Sequence, residues 1–486
     1  MRFGTHEDLK TKENSGLETR KTVPLIVASA LIMQQIDSTA IATALPSIAN
    51  ALGEPAVALH STITVYLLSL GVFLPVSGWF ADRFGARLVF CSAIALFTFA
   101  SLLCAASTNL TMLIASRALQ GFGGALMLPT ARLILVRSVP REELVSAMVL
   151  MSMPAVVGPA IGPLFGGFII SISSWRWIFW INLPVGIIAI VLTLMLIGKI
   201  PVVARPSFDF TGFVLTGIGI GALIFGFDAF AREMNANGLL LAFAGLASLG
   251  LYALHARRSA NPILDLRLFR HPTFRASLGG GSLFRVSMGA LPFMLPLLMQ
   301  EVFGYTPLQS GAITFVSTIG AFGMRTITKR ILRRFGFRRV LFWNALIASF
   351  SMGLCALFTP DTAPIVMVFV ILLGGFFRAL QFTSLNTIAF AETDDSEMSH
   401  ATSLSQMAQR IAQSVGVAVS AILLQYYSGG SETLTNFAFA MAFIIVALIS
   451  ASSCLSFFRL PQNAGDVLAG RKKEVAEAQQ EAEAAE

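Results

Sequence analysis

GWFADRFGAR, residues 78–87, separates two apolar runs that are each long enough to cross a lipid bilayer. A similar loop, FGFR at residues 335–338, follows basic residues and precedes another apolar run in the second half of the chain. Loops that recur at matching places indicate an internal repeat. The sequence therefore predicts two related halves, as in membrane proteins built from repeated helix bundles.

The composition of the whole chain excludes a soluble protein. Hydrophobic residues make up 55% of the 486 residues and charged residues 12%, whereas soluble domains carry roughly 25% charged residues. The five histidines form no metal-spaced pair, and the chain has no GxxxxGK[ST] loop for a nucleoside triphosphate. We therefore expect neither an enzyme nor an ATP-driven pump, and we expect no cofactor and no metal.

Apolar runs of about 18 residues or more predict an all-α polytopic membrane protein with fourteen transmembrane helices. They lie near residues 24–48, 59–80, 88–107, 110–135, 144–171, 176–197, 208–230, 238–256, 276–300, 308–328, 338–358, 363–385, 401–425 and 433–458. The expected organisation is a tail at 1–23, a six-helix bundle at 24–200, an inserted helix pair at 201–260, an amphipathic connector at 261–275, a second six-helix bundle at 276–460 and a tail at 461–486.

The distribution of Lys and Arg predicts the orientation in the membrane. The loops on one side hold eighteen of these residues, and the loops on the other side hold only Arg176 and Arg232. Because loops rich in Lys and Arg stay in the cytoplasm, both termini are expected to be cytoplasmic. The net charge of +8 is then a topology signal, and no nucleic-acid partner is expected.

Five ionisable side chains lie inside the predicted spans. A charge at the centre of a membrane helix costs about 2.5–3.5 kcal/mol on the insertion scale, and such groups usually face a cavity or a partner. We therefore expect these five to face one another or water, and we favour a functional role for them. They are Asp37, Arg117, Arg285, Arg378 and Arg410.

Glutamines accompany these charges at helical spacing. Gln406, Gln409, Arg410 and Gln413 fall on a single face of one helix. Gln381 follows Arg378, and Gln34 and Gln120 accompany Asp37 and Arg117 in the first half. Together they predict a water-filled central cavity between the halves. The alternative, hydrogen bonds that only hold helices together, is favoured for the glutamines taken alone.

A glycine and proline pattern marks the fifth predicted helix. Glycines recur every four residues, which strips one face of side chains and lets another helix approach closely. The two prolines remove backbone donors and bend the helix. The residues are Gly158, Pro159, Gly162, Pro163, Gly166 and Gly167.

Four motifs carry a resemblance to a known family. Residues 78–87 resemble the loop 2–3 signature of the major facilitator superfamily, and residues 158–167 look like its antiporter motif. Residues 117–121 match its helix 4 motif. Residues 37–46 resemble the helix 1 motif of its fourteen-helix drug:proton antiporter branch, which includes multidrug resistance transporters.

The resemblance implies a fold, an energy source and residue roles. It implies a major facilitator fold that exchanges protons for small molecules by alternating access, in a bacterial inner membrane and as a monomer. Asp37 with Arg117 would couple the proton, since a carboxyl group whose protonation depends on which side the cavity faces links proton entry to substrate exit. A cytoplasmic latch would be formed by Gly78, Asp82, Arg83, Gly85 and Arg87. The second copy of this loop lacks counterparts of Gly78 and Asp82. We therefore expect no latch there.

The charges of the predicted cavity favour a second hypothesis on the substrate. One acid faces four arginines, so a lipophilic cation would be repelled unless the arginines pair elsewhere. An anionic metabolite, such as a carboxylate-rich compound or a metal chelator, could instead be bound by Arg285, Arg378 and Arg410. A transport-inactive receptor or scaffold would need a sizeable extramembrane domain or degraded motifs, and the sequence shows neither.

Overall fold

The computed structural model describes residues 6–139, 143–198, 208–233, 236–259, 261–394, 397–429, 431 and 433–469. Within these ranges the regular secondary structure is helical and no β-strand occurs. The long helices are α1 (His6–Leu52), α2 (His60–Phe84), α3 (Ala86–Ala105), α4 (Leu110–Ser138), α5 (Pro154–Ile172), α6 (Asn182–Leu196), α7 (Phe210–Glu233), α8 (Ala236–Arg258), α9 (Pro272–Leu297), α10 (Pro307–Phe335), α11 (Phe337–Gly353), α12 (Pro364–Ile388), α13 (Met398–Tyr427) and α14 (Asn436–Ser452).

Thirteen helical segments of the described chain are long and apolar enough to span a membrane. The predicted all-α polytopic fold is thereby confirmed. The predicted span that falls outside the thirteen is α10, a helix of 29 residues. Its mean hydropathy is lowered by Lys329, Arg330, Arg333 and Arg334 in its last turns.

Several helix ends differ from the predicted ones. Helix α1 begins at His6, because the Glu, Lys and Leu residues of the predicted tail are themselves good helix formers. A short helix, Leu144–Ser152, precedes α5, and another, Trp177–Trp180, precedes α6. The predicted C-terminal tail beyond residue 469 and the start of the inserted segment at 201–207 lie outside the described residues.

The two repeated loops have the same backbone geometry. Gly85 ends α2 with φ 88°, and Gly336 ends α10 with φ 74°. Glycine is the residue that adopts positive φ without a steric penalty, and it commonly ends helices. In each half the next helix starts at the following residue. We call the end of the molecule that holds these two glycines the basic end, and the end that holds Leu52 and Pro307 the opposite end.

The halves contact each other mainly where α5 meets α10, α2 meets α13, and α1 meets α9. Near the opposite end, Gln300 Nε2 donates to the Thr43 carbonyl at 3.0 Å. Ser414 Oγ donates to the Thr64 carbonyl at 3.1 Å. These bonds, together with the packing of α5 on α10, close the opposite end between the halves.

Helices α7 and α8 form a peripheral pair. Gly226 lies against the backbone of Ala242, and Gly245 lies against Leu223, so the two helices pack closely on each other. In the most apolar stretch of each helix, 33% of the residues of α7 and 22% of those of α8 are buried, compared with 78% for α9. Helix α7 contacts α2 of the first half and α13 of the second. The pair therefore lies beside both halves and outside their shared core.

Candidate transport site

A buried ion pair occupies the middle of the first half. Asp37 on α1 is 1% exposed and Arg117 on α4 is fully buried. Arg117 Nη1 donates to Asp37 Oδ2 at 2.7 Å. Its guanidinium carbon also lies 4.0 Å from the ring centre of Tyr66, within the range of a cation–π contact. The pair is thus enclosed by its own half.

Two side-chain amides complete the surroundings of the Asp37 carboxylate. Gln120 Nε2 donates to Asp37 Oδ1 at 3.0 Å, and Asn182 Nδ2 donates to the same oxygen at 2.8 Å. Both amides also donate to Ser101 Oγ, at 2.8 Å and 3.1 Å. Ser101 in turn donates its hydroxyl hydrogen to the Phe97 carbonyl at 2.8 Å. We call Asp37, Arg117, Gln120, Asn182 and Ser101 the Asp37 network.

Asn182 and Ser101 are not among the site residues predicted from the sequence. Asn182 begins α6 and is 2% exposed. The available signal was an amide side chain inside an otherwise apolar run, Trp-Ile-Asn-Leu-Pro-Val at residues 180–185. Spacing along one helix could not reveal it, because α6 reaches Asp37 only through the fold.

Gln34 lies one turn before Asp37 but joins a different contact. Its Nε2 donates to the Gly124 carbonyl at 3.1 Å, and its side chain is buried. This bond ties α1 to α4 within the first half. Gln34 therefore lies beside the Asp37 network and makes no hydrogen bond to Asp37.

The arginines of the second half do not converge on one point. Arg285 is fully buried and donates to the Ser277 carbonyl at 2.9 Å and to Asn386 Oδ1 at 3.0 Å. Arg378 donates to Ser317 Oγ at 2.8 Å, on α10. Neither arginine forms an ion pair within the described residues. The structure thus places two uncompensated cations at separate positions in the second half.

Gln381 is also bonded within the second half. It accepts a hydrogen bond from Asn344 Nδ2 at 2.9 Å and donates to the Leu341 carbonyl at 3.1 Å. Because both partners lie on α11, the side chain joins α12 to α11 and is fully buried. This position favours the packing role that the sequence analysis kept open for the glutamines.

Arg410, on the polar face of α13, lies at the contact with the first half. Arg410 lies against Gly71 of α2, whose added Cβ would meet Arg410 Cβ at 3.5 Å. The residues of this face are half-buried and comprise Gln406, Gln409, Arg410 and Gln413.

The glycines of α5 bring two backbones together. Gly158, Gly162 and Gly166 face Gln35, Thr39 and Ala40 of α1, so this contact lies inside the first half. Thr39 Oγ1 donates to the Gly158 carbonyl at 3.1 Å across it.

The other side of α5 meets the second half. Gly167 lies against the carbonyl of Pro307, and Gly311 lies against the carbonyl of Pro163. The Pro159 carbonyl accepts a hydrogen bond from Thr318 at 3.4 Å. Helix α5 therefore forms the contact between the halves with its backbone, where a side chain of any size would separate them.

The predicted latch residues make few contacts within the described residues. Asp82 forms no ion pair with another described residue, and Arg83 lies over the rings of Trp79 and Phe84 of its own helix. An added Cβ at Gly78 would meet open space. Arg87 donates to the Leu194 carbonyl of α6, which ties α3 to α6. The contacts described for Arg83 and Arg87 therefore stay within the first half.

A cavity of about 610 Å³ lies away from the Asp37 network, at the basic end of the second half. Its walls include Arg338, Arg339, Trp343 and Phe458. We do not assign it to the transport site, because the buried charges lie elsewhere. No cluster of metal-ligating side chains occurs among the described residues.

These features define the class of protein. The described chain has thirteen apolar helical segments long enough to span a membrane, its first half encloses a buried charge network, and the two halves meet along glycine-rich backbone contacts. This is the architecture of a multi-pass membrane transporter and not of an enzyme.

Comparison with known proteins identifies the family. The family model described as Major Facilitator Superfamily matches residues 27–283 and 277–482. A protein of Escherichia fergusonii named "Putative multidrug resistance protein MdtD" is 39% identical over 453 residues, covering 90% of this chain and 94% of that protein. Its namesake in Salmonella heidelberg is 37% identical over 449 residues, with coverage of 90% and 94%. The chain belongs to the Major Facilitator Superfamily and is a secondary transporter.

Solved structures agree on the fold. The crystal structure of a D-xylose-proton symporter superposes with a TM-score of 0.66 at 13% identity, covering 91% of this chain and 98% of that one. An auto-inhibited POT family peptide transporter gives a TM-score of 0.64 at 14% identity, with coverage of 90% and 96%. At these identities the likeness concerns the fold alone.

Proposed function

We propose that the protein exports small molecules in exchange for protons. The observation that carries the proposal is the buried carboxylate of Asp37, paired with Arg117 and enclosed by amide donors. Buried ionisable groups in membrane helices are costly and mark proton or substrate pathways. The multidrug resistance relatives support a drug-like substrate. The proton gradient would supply the energy, and no cofactor would be needed.

The proposed orientation places the basic end in the cytoplasm of a bacterium, with the protein in the inner membrane and both termini inside. The Lys and Arg bias of the loops supports it. Helix α10 would then be the fourteenth span, with its basic last turns at the cytoplasmic surface. Since the halves are in contact at the opposite end, the structure would correspond to a state that opens to the cytoplasm.

Proteoliposomes under an imposed pH gradient test the proposal. We expect one cationic dye or one tricarboxylate to be transported against its gradient by the native protein. Asp37→Asn should abolish gradient-driven transport, since an amide cannot carry the proton. Asp361→Asn is the matched control, because the same chemical change falls on an exposed loop residue. Full coupling in Asp37→Asn, or transport indifferent to the pH gradient, would overturn the proposal.

A specific observation keeps the anionic substrate as a second candidate. Asp37 neutralises Arg117, but Arg285, Arg378 and Arg410 form no ion pair within the described residues. Uncompensated guanidinium groups favour carboxylates or phosphates. In the same proteoliposomes, Arg378→Gln and Arg410→Gln should lower tricarboxylate transport at least tenfold. If both variants spare every anion and alter only dye efflux, the anionic candidate is wrong.

A further inference from the structure

The amide of Asn182 has no assigned role of its own in the proposed function. It is the only contribution of α6 to the Asp37 network within the described residues, and it donates to the carboxylate at 2.8 Å. We propose that Asn182 is a positioning residue that holds Asp37 in its ionised form. This inference rests on the proposed role of Asp37 in proton coupling.

The hydrogen-bond partners of the Asp37 carboxylate are all donors. Arg117 has only donors, and both amides present their NH₂ groups to the carboxylate. The Gln120 carbonyl oxygen already accepts from Arg117 Nη1 at 2.5 Å and from the Cys104 thiol at 3.8 Å. Every partner of Asp37 named here therefore donates, as an ionised carboxylate requires.

A protonated Asp37 would need an acceptor in the same space. Ser101 Oγ belongs to the same network, but it already accepts from both amides and gives its own hydrogen to the Phe97 carbonyl. A proton on Asp37 would therefore leave buried polar groups unpaired unless the amides rotated or α6 moved relative to α1. Buried groups without partners are strongly disfavoured. The arrangement thus discriminates between the two protonation states.

Asn182 is the member of the network through which helix movement could act. Arg117 and Gln120 share α4, so they move together, whereas Asn182 lies on α6. The other end of α6 is tied to α3 through Arg87. A shift of α6 would withdraw one donor from Asp37 and leave the ion pair with Arg117 intact. The number of donors at the carboxylate would then depend on the conformation.

An infrared titration of the purified protein in proteoliposomes tests this role directly. The C=O stretching band of protonated Asp37, identified by its loss in Asp37→Asn, is followed against pH. Asn182→Leu should move the midpoint of this band upward by about one to two pH units, because the ionised form alone loses a charge-assisted hydrogen bond. Asn182→Ser, which cannot reach Asp37 but keeps a polar group, should move it in the same direction if Asn182→Leu folds poorly.

Thr193→Val is the matched control on the same helix. Thr193 is fully buried, and its hydroxyl donates to the Ala189 carbonyl of its own helix, so loss of this hydroxyl should leave the midpoint unchanged. An unchanged midpoint in both Asn182 variants would overturn the inference, and Asn182 would then serve packing alone. The titration needs no transport. A shifted midpoint without gradient-driven transport would therefore refute the proposed function and leave the position of Asn182 supported.

Discussion

Arg117 shows what a buried charge needs in order to be tolerated. Its guanidinium is fully buried, yet one nitrogen bonds to Asp37 and Gln120, and its face lies on Tyr66. A buried ion pair seldom adds net stability, but removal of one partner leaves a buried charge without compensation. The pair should thus be tolerant of joint replacement and intolerant of single replacement.

This asymmetry gives a prediction at the residue scale. Arg117→Ala should lower the free energy of unfolding by about 3–5 kcal/mol. The double variant Asp37→Asn, Arg117→Gln should be clearly more stable than Arg117→Ala, since it buries no charge. Denaturant unfolding in detergent, followed by tryptophan fluorescence, measures both. Equal destabilisation of the single and double variants would contradict the argument.

The sequence could predict the charged members of this site but not its geometry. Asp37 and Arg117 stand out because ionisable residues are rare inside apolar runs. Asn182 and Ser101 are ordinary residues until the fold brings α6 and α3 against α1. Arg285, Arg378 and Arg410 were expected to line one cavity, but side-chain length and direction place Arg285 and Arg378 on separate partners in the second half.

At the scale of the helices, one carboxylate bonds to both helices of the inserted pair, α7 and α8. Asp209 precedes α7 and accepts from the Gly212 N–H at 2.8 Å and the Ile263 N–H at 3.1 Å, and His255 Nε2 lies 2.7 Å away. Partial burial raises the pKa of Asp209, but these hydrogen bonds and His255 outweigh it and lower the pKa below its usual value. The carboxylate therefore joins α7, α8 and the connector that follows.

The sign of this shift predicts a pH dependence. Because the pKa is lower in the folded chain, the stabilisation is complete above the unfolded value of about 3.9 and is lost as the pH falls through the folded value. Asp209→Ala should remove it at neutral pH and cost about 0.5–2 kcal/mol, as for other helix N-caps. Hydrogen exchange of the first turn of α7 should accelerate in the variant. Unchanged protection at pH 7 would contradict the role.

Close backbone packing gives a prediction for α5. Gly167→Ala places a Cβ against the Pro307 carbonyl of the other half, so it should separate α5 from α10 at the opposite end. Gly78→Ala is the control, because its Cβ would meet open space. Spin labels at positions 172 and 308 should report a longer distance for Gly167→Ala only. If the distance is unchanged in Gly167→Ala, the prediction is wrong, and the added Cβ is accommodated without separation of the two helices.

Helix ends were predicted less well than helix positions. Apolar length locates the spans, because the bilayer imposes a minimum. It does not say where the helical backbone stops, so α1 extends into the charged segment and α10 continues through its basic turns. The glycines at 85 and 336 were recognised as a repeat, but their positive φ became evident only in the structure.

For the whole molecule, the contacts that close the opposite end belong, in the proposed cycle, to one of two states. In the proposed cycle, protonation of Asp37 favours the other state, since the network accommodates the ionised form. Asp37→Asn, which is permanently neutral, should therefore lengthen the distance between the labels at 172 and 308. Lowering the pH should lengthen it in the native protein but not in this variant. If this distance does not change with pH in the native protein, protonation of Asp37 does not drive the conformational change.

The contacts that close the opposite end consist of uncharged groups: two amide or hydroxyl donors to the Thr43 and Thr64 carbonyls, and glycines against carbonyls. Dissolved salt screens interactions between charges and leaves such contacts almost untouched. The basic end, by contrast, carries Arg83, Arg338 and Arg339 at or near the surface. Ionic strength should therefore act on the equilibrium between the two states through one side of the membrane only. Vesicles with salt raised separately inside and outside would reveal a transporter that senses the electrolyte of the compartment at its basic end and is indifferent to that of the other.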